Sequence, residues 1–274
     1  MIRPLTRALT SAVRSLVRQH GFDVVRYREP DTSDALRKAL HVLTELRRFG
    51  GDDSFREETD FLRFCAMHYT NSKAQIFQDL FVQYVLAEKR DGFFVEFGAT
   101  NGVGRSNTHL LEKHYGWGGI LSEPARTWHE ALKRNRNCTI ETRCVWDETG
   151  NELEFNETSD PELSTIDTFS SKDFHASSRK SGERYNVKTV SLNDLLAEHH
   201  APHVIDYLSV DTEGSELKIL SAFDFTRHRI KVITVEHNNT RAREGLHALL
   251  TTNGFERKLE NLSQWDDWYV ASNL

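Results

Sequence analysis

Apolar residues recur at helical spacing over the first seventy positions, and short apolar runs alternate with helix-period stretches beyond them. Near the N-terminus Leu5, Leu9, Val13 and Leu16 share one face of a helical wheel, and Arg3, Arg7, Arg14 and Arg18 share the opposite face. A second helix is expected over 33–49, with Leu36, Leu40 and Leu43 on one stripe, Ser33 or Asp34 as cap and Gly50-Gly51 as its end. Two more follow over 55–69 and 75–89, the latter anchored by Ile76, Leu80 and Val85. Strand-sized runs then come at 93–97, 119–122, 139–144, 205–210, 231–235, 255–259 and 268–271. Helical stretches at 106–115, 125–135, 191–199 and 215–222 separate the first five, and one at 240–253 follows the fifth. This alternation predicts an α/β domain with a mostly parallel sheet over 71–274, preceded by a helical extension over 1–70. An insertion over 147–188, rich in Ser, Asp and Glu, is expected to hold a short strand at 152–156 and a mobile loop.

Composition narrows the class. The 274 residues suffice for one large domain or one domain with an extension. At 38% hydrophobic and 28% charged the chain reads as soluble and globular. No apolar run approaches the roughly 18 residues that span a bilayer, and no secretory pattern opens the chain. Cys65, Cys138 and Cys144 are odd in number and form no CxxC pair, which points away from a disulfide framework and towards the cytoplasm. A net charge of −6 implies no general nucleic-acid surface. The first twenty residues, with four arginines and no acid, leave three readings open. They are a helix lying on the anionic inner face of a membrane, a helix packed on its own domain or a second chain, and a transit peptide. A homo-oligomer stays open.

The sharpest local signal is Phe93-Phe94-Val95-Glu96-Phe97-Gly98-Ala99-Thr100-Asn101-Gly102, a buried strand whose glycine-rich turn opens a helix. Such glycines admit a ligand close to the backbone, and helix N-terminal amides face it. The run lacks both GxGxxG spacing and the Gly-Lys-Ser/Thr of a P-loop, which disfavours a pyrophosphate cradle. An acid just before Gly98 suits a ligand with a cationic amino group, such as the methionine moiety of S-adenosylmethionine (SAM). The other reading is a structural strand-to-helix turn. The next strand ends in Ser122-Glu123-Pro124, where an acid can accept from ribose hydroxyls or serve as a first-turn acid. Asp211 and Glu236 end two later strands, and ligands bind outside the carboxyl ends of strands in open α/β sheets.

If those strands are neighbours, Asp211 and Glu236 converge, with His237 and Asn238 nearby. Three chemistries follow. Asp211, Glu236 and Asn238 could hold a hard cation such as Mg²⁺, which would acidify a substrate hydroxyl. His237 could act as a general base. Or the acids only bind substrate and cap helices.

Taken in order, these segments resemble the FkbM family of SAM-dependent methyltransferases over roughly Ser72 to the C-terminus. The resemblance is carried by Gln75-Ile76-Phe77-Gln78-Asp79, Val95 to Gly102, Ser106-Asn107-Thr108, Ser122-Glu123-Pro124, Asp211-Thr212-Glu213-Gly214-Ser215-Glu216 and Val235-Glu236-His237. It implies a seven-stranded Rossmann-like sheet in the order 3-2-1-4-5-7-6 with strand 7 antiparallel. It also implies SAM as cofactor and O-methylation of sugars, glycans or related secondary metabolites. Glu96, Gly98 and Asn101 would line the methionine end of SAM, Glu123 would hold the ribose, and Val145 would flank the adenine. Ala99, Gly102, Asn107, Pro124 and Asp211 join the cofactor set. Gln78 and Asp79 would form a lid or substrate-side wall, and Asp211 and Glu236 would face the methyl group. The first seventy residues lie outside the match.

Two readings compete. One is an NAD-binding oxidoreductase, which the missing GxGxxG disfavours; the other is a non-catalytic binding protein on the same fold, which acids at four strand ends disfavour. In the insertion, Ser164, Thr165 and His175 are either acceptor contacts or, as the behaviour of loops favours, polar surface. Trp265 and Trp268 either stack on a sugar or pack within strands, as aromatic strand residues commonly do.

Overall fold

The structure is a computed structural model and describes residues 32–158, 164–169 and 182–274. The basic stretch around Leu5–Leu16 and the candidate contact His175 lie outside the described residues. The chain divides into two compact units, Met1–His41 and Val42–Leu274. The described part of the first is the beginning of helix α1 (Thr32–Phe49). There Asp34 pairs with Arg37 and with Lys38 at 3.3 Å, one helical turn on.

In the second unit α1 turns Val42, Leu46 and Phe49 inward, a spacing of four and three residues that keeps them on one face. Leu43 is exposed, as are Leu36 and Leu40 in the first unit, so the leucine stripe read from the sequence is not the buried one. Helix α2 (Arg56–His68) buries Phe61, Leu62 and Cys65, and α3 (Gln78–Val85) buries Leu80, Phe81 and Val82. Residues 42–70 thus share the core of the larger unit, and no packing boundary falls at residue 70.

Eleven strands are described: β1 (Phe93–Phe97), β2 (Gly118–Ser122), β3 (Thr139–Glu141), β4 (Cys144–Trp146), β5 (Glu152–Glu157), β6 (Thr165–Ile166), β7 (Glu183–Ser191), β8 (Val204–Val210), β9 (Arg229–Glu236), β10 (Phe255–Lys258) and β11 (Asp266–Ala271). Among them run helices α4 (His109–Tyr115), α5 (His129–Asn135), α6 (Leu192–Glu198), α7 (Glu216–Ser221) and α8 (Ala242–Thr252). The main sheet has the order β3-β2-β1-β8-β9-β11-β10. β11 runs antiparallel to both of its neighbours, and the remaining pairs are parallel. This is the expected order 3-2-1-4-5-7-6.

Side chains alternate across the sheet, as strand geometry requires. Phe94, Tyr207, Val232 and Trp268 enter one apolar layer with α1 to α5. Val95, Phe97, Leu208, Ile233 and Tyr269 enter the other, under α6, α7 and α8. Trp268 is fully buried, stacked on Phe81 (ring centroids 4.7 Å apart) and edge-on to Phe61 (5.7 Å). Its ring is a packing element and is closed to any sugar.

The strand expected at 152–156 is present as β5, and the rest of the insertion departs from the expected loop. β4, β7, β5 and β6 form a second sheet in that order, closed by Cys144, Trp146, Phe155, Ile166 and Val187. The single strand expected over 139–144 is split for this reason. The Glu141 carboxylate accepts from the N–H groups of Thr142 and Arg143, both at 2.9 Å, and turns the chain from β3 in one sheet to β4 in the other. No helix among the described residues is long and apolar enough to cross a membrane.

Candidate active site

A cavity of about 510 Å³ opens where β1, β2, β8 and β9 end. That lies within the range of roughly 300–1,000 Å³ typical of small-molecule sites. Gly98 forms its corner with a φ of +73°, and a Cβ there would sit 2.2 Å from the carbonyl oxygen of Asp211. Any side chain would therefore push β1 and β8 apart. Thr100 and Arg105 also adopt left-handed conformations in this loop, and both line the cavity. Such conformations persist only where surrounding structure enforces them.

The enforcement comes from beneath. Glu96 is buried and accepts from the Asn107 N–H (2.7 Å), Ser106 Oγ (3.1 Å) and Thr108 Oγ1. Arg136, also buried, donates to the Gly102 carbonyl (3.2 Å), Ser106 Oγ (3.1 Å) and Thr108 Oγ1 (2.9 Å), and pairs with Glu112 and Glu96. Burial raises the pKa of Glu96, while Arg136 and the three donors oppose it. Asn101 Oδ1 accepts from the N–H groups of Val103 and Gly104, and Asn107 Nδ2 donates to Ser209 Oγ. Glu96, Ala99, Asn101, Gly102 and Asn107 thus shape the loop but do not line the cavity.

At one end Glu123 faces the space from the tip of β2. Its Oε2 accepts from the Thr100 N–H and its Oε1 from the Ala125 N–H, both at 2.8 Å. A carboxylate oxygen has two lone pairs, so each can accept once more from a ligand. Burial pushes the Glu123 pKa up to about 7 against the pull of these donors. Pro124, Cys144 and Val145 line the same end, with Phe155 and Ile166 of the second sheet.

At the other end Asp211, Glu213 and Glu236 each bring a carboxylate oxygen within 4.8 Å of the others. Burial first, then Glu213, Asp266 and Glu216, push the Asp211 pKa well above the carboxylate range. Burial and then Asp211 do the same for Glu236. The carboxylates of Asp211 and Glu236 lie side by side, and Glu236 Oε2 is buried without a hydrogen-bond partner. The six-residue run after β8 divides its labour. Glu216 accepts from the Thr212 N–H, Thr212 Oγ1 and the Gly214 N–H, fixing the turn that presents the first two acids. Thr165 of the insertion donates through Oγ1 towards the carbonyls of Thr212 (3.3 Å) and Glu213 (3.0 Å).

The other sequence candidates fall as follows. Asn238 lines the cavity, and its Nδ2 donates to Glu213 Oε2 at 3.4 Å. His237 does not line it. The imidazole is buried, with Nδ1 accepting from the Asn239 N–H and Nε2 3.7 Å from Asp267. Burial lowers its pKa despite that neighbour. Gln78 and Asp79 also lie off the cavity. Gln78 joins the Ile76 N–H to the Asp266 carboxylate, and Asp79 accepts from Ser72 Oγ and the Lys73 and Leu80 N–H groups. Gln75 takes the lining position instead. Ser164 and Thr165 do line the cavity, which overturns their reading as loop surface; Trp265 lines it too.

Glu213 and Arg105 had drawn no attention as site residues. Glu213 stood in plain view between Asp211 and Gly214, and its left-handed φ of 59° marks the turn that returns its carboxylate beside Asp211.

The family model for the methyltransferase FkbM domain matches residues 96–268, which contain every strand end just described. The chain belongs to the FkbM methyltransferase family. Similar solved structures include an FkbM methyltransferase from Methylobacillus flagellatus, 14% identical over 87% of this chain and 60% of that one, with a TM-score of 0.47. Others are a precorrin-6y C5,15-methyltransferase from Geobacter metallireducens (10% identity, 70% and 85% coverage, TM-score 0.39) and a human methyltransferase 10 domain containing protein (11%, 72% and 82%, 0.38). The family assignment rests on the domain match rather than on these structures. This chain spans 60% of the length of the Methylobacillus protein. No curated protein matches the sequence.

Proposed function

We propose that this FkbM-family methyltransferase uses SAM to methylate a hydroxyl oxygen of a sugar, a glycan or a related small molecule. The observation that carries the reading is a single cavity with two chemically different ends. The Glu123 end is largely apolar, with two carboxylate oxygens able to accept from ribose hydroxyls. Gly98 supplies the close backbone approach that a bulky cofactor needs, so these residues fit SAM. When bound, SAM supplies a methyl group on a sulfonium: the O–C bond forms as the C–S bond breaks, and the C–S electron pair stays on sulfur.

The chain's own residues must hold the acceptor in line and remove one proton. Asp211 and Glu236 are suited to the second task. Burial and their closeness raise the pKa of both carboxylates, which suits one of the pair to accept the acceptor's hydroxyl proton. Gln75, Ser164, Thr165, Asn238 and Asn239 offer amides and hydroxyls around this end, and Trp265 offers an aromatic wall. That lining favours a polyhydroxylated acceptor over an apolar one.

Calorimetric titration of SAM and NAD, followed by methyl-transfer assays on hydroxylated acceptors, tests the reading. SAM is expected to bind and NAD not. Glu123→Ala should weaken SAM binding, and Asp211→Ala should keep SAM while losing turnover. Wild-type protein that ignores SAM would overturn the proposal, and unchanged SAM affinity in Glu123→Ala would overturn the ribose assignment.

A further inference from the structure

Three carboxylates from two strand ends meet at one end of the cavity, and burial makes that arrangement costly unless something positive joins them. Their separations suit a metal ion. Mg²⁺ binds oxygen at about 2.1 Å, so opposite ligands of an octahedron stand about 4.2 Å apart, and Ca²⁺ spans about 4.8 Å. One carboxylate oxygen from each of Asp211, Glu213 and Glu236 falls within 4.8 Å of the other two. Glu236 gives an independent sign of a missing partner. Its side chain is only 8% exposed, it lines the cavity, and its Oε2 has no hydrogen-bond donor. A buried carboxylate oxygen without a donor is rare and calls for an occupant.

The set is also braced for ligation. Asn238 Nδ2 donates to Glu213 Oε2, and Glu216 fixes the turn that carries Glu213. Outer contacts of this kind orient the ligands of metal sites. The donors are all hard oxygens, with no thiol and no imidazole among them, which selects Mg²⁺, Mn²⁺ or Ca²⁺ over Zn²⁺ or Cu²⁺.

We propose that Asp211, Glu213 and Glu236 bind one divalent cation, with Asn238 acting behind Glu213 rather than as a ligand. The proposal rests on the methyl-transfer reading only for its consequence. There the cation's open positions take the acceptor hydroxyl and a water. The hydroxyl is acidified, and its proton leaves through a carboxylate oxygen not bound to the cation and on to solvent. An acceptor with two adjacent hydroxyls would chelate best.

The test uses the full chain and two separate readouts. Mn²⁺ binding to the protein without SAM is followed by electron paramagnetic resonance, with Mg²⁺ as competitor, and SAM affinity is measured by calorimetry. One Mn²⁺ per chain, displaced by Mg²⁺, is expected. Glu213→Gln and Glu236→Gln should each weaken Mn²⁺ by about tenfold or more, because ligand charge sets affinity at such sites. Asn238→Ala should weaken it less than either. Glu213→Gln should bind SAM as the wild type does, which also shows that the variant is folded. Wild-type protein that binds SAM but no Mn²⁺ overturns the cation site and leaves the methyl-transfer reading standing. Protein that binds Mn²⁺ in these residues but not SAM does the reverse. Variants that bind Mn²⁺ like the wild type overturn the ligand assignment.

Discussion

Arg136 shows how much of the site is built by residues that never reach the cavity. Its guanidinium serves Gly102, Ser106 and Thr108 while pairing with Glu112 and Glu96. The acid before the glycine turn was visible in the sequence as Glu96. Its partner forty residues on was not, because nothing local marks which of many arginines folds inward. The same holds for His237, whose side chain looked chemical beside Glu236 yet turns away to bond the next turn.

Glu123 carries a pH signature of its own. Its pKa rises from the ordinary 4.5 to about 7 on folding, so the folded state binds the proton more tightly than the unfolded chain does. The stability this contributes is full below pH 4.5 and is lost as pH rises through 7. Glu123→Gln removes the dependence, at the fixed cost of one backbone hydrogen bond. Urea unfolding at pH 5 and pH 8 should show a smaller fall in stability for the variant than for the wild type; equal falls would refute the shift.

Among the elements, the second sheet does the least expected work. Its strand β5 was read at 152–156, but β7 was not, because the first half of that nine-residue strand is polar and its pairing with β5 joins segments some thirty residues apart. Periodicity records one face of one strand, and pairing across such distances leaves no mark in it. The helices over 42–70 were found for the opposite reason, since helical spacing is local. Which stripe they would bury was not, as α1 shows. Thr165 joins this sheet to the turn after β8 by two contacts. Thr165→Val should cost about 1 kcal/mol of stability, leave SAM affinity unchanged and raise the KM for the acceptor. Steady-state kinetics with each substrate varied in turn would expose a SAM effect, which would place Thr165 in the other half of the site.

For the molecule as a whole, the strand order followed from the family resemblance, and the sheet bears it out in every pairing. The positions of Asp211 and Glu236 on one rim followed from the same order, because β8 and β9 are parallel neighbours. A ligand that binds the folded chain alone stabilises it by mass action. SAM at about a hundred times its dissociation constant should add about 2.7 kcal/mol to unfolding free energy. A thermal melt with and without SAM measures this, and no upward shift in midpoint would count against cofactor binding.

The reversed direction of β11 has a consequence for diversity. Every parallel strand delivers to the rim only the residues that come after it. β11 delivers the ones that come before, so the connection from β10 arrives at the rim with Trp265 already in place. Lengthening or recolouring that connection would reshape one wall of the cavity while the strand ends that line its other walls keep their places in the sheet.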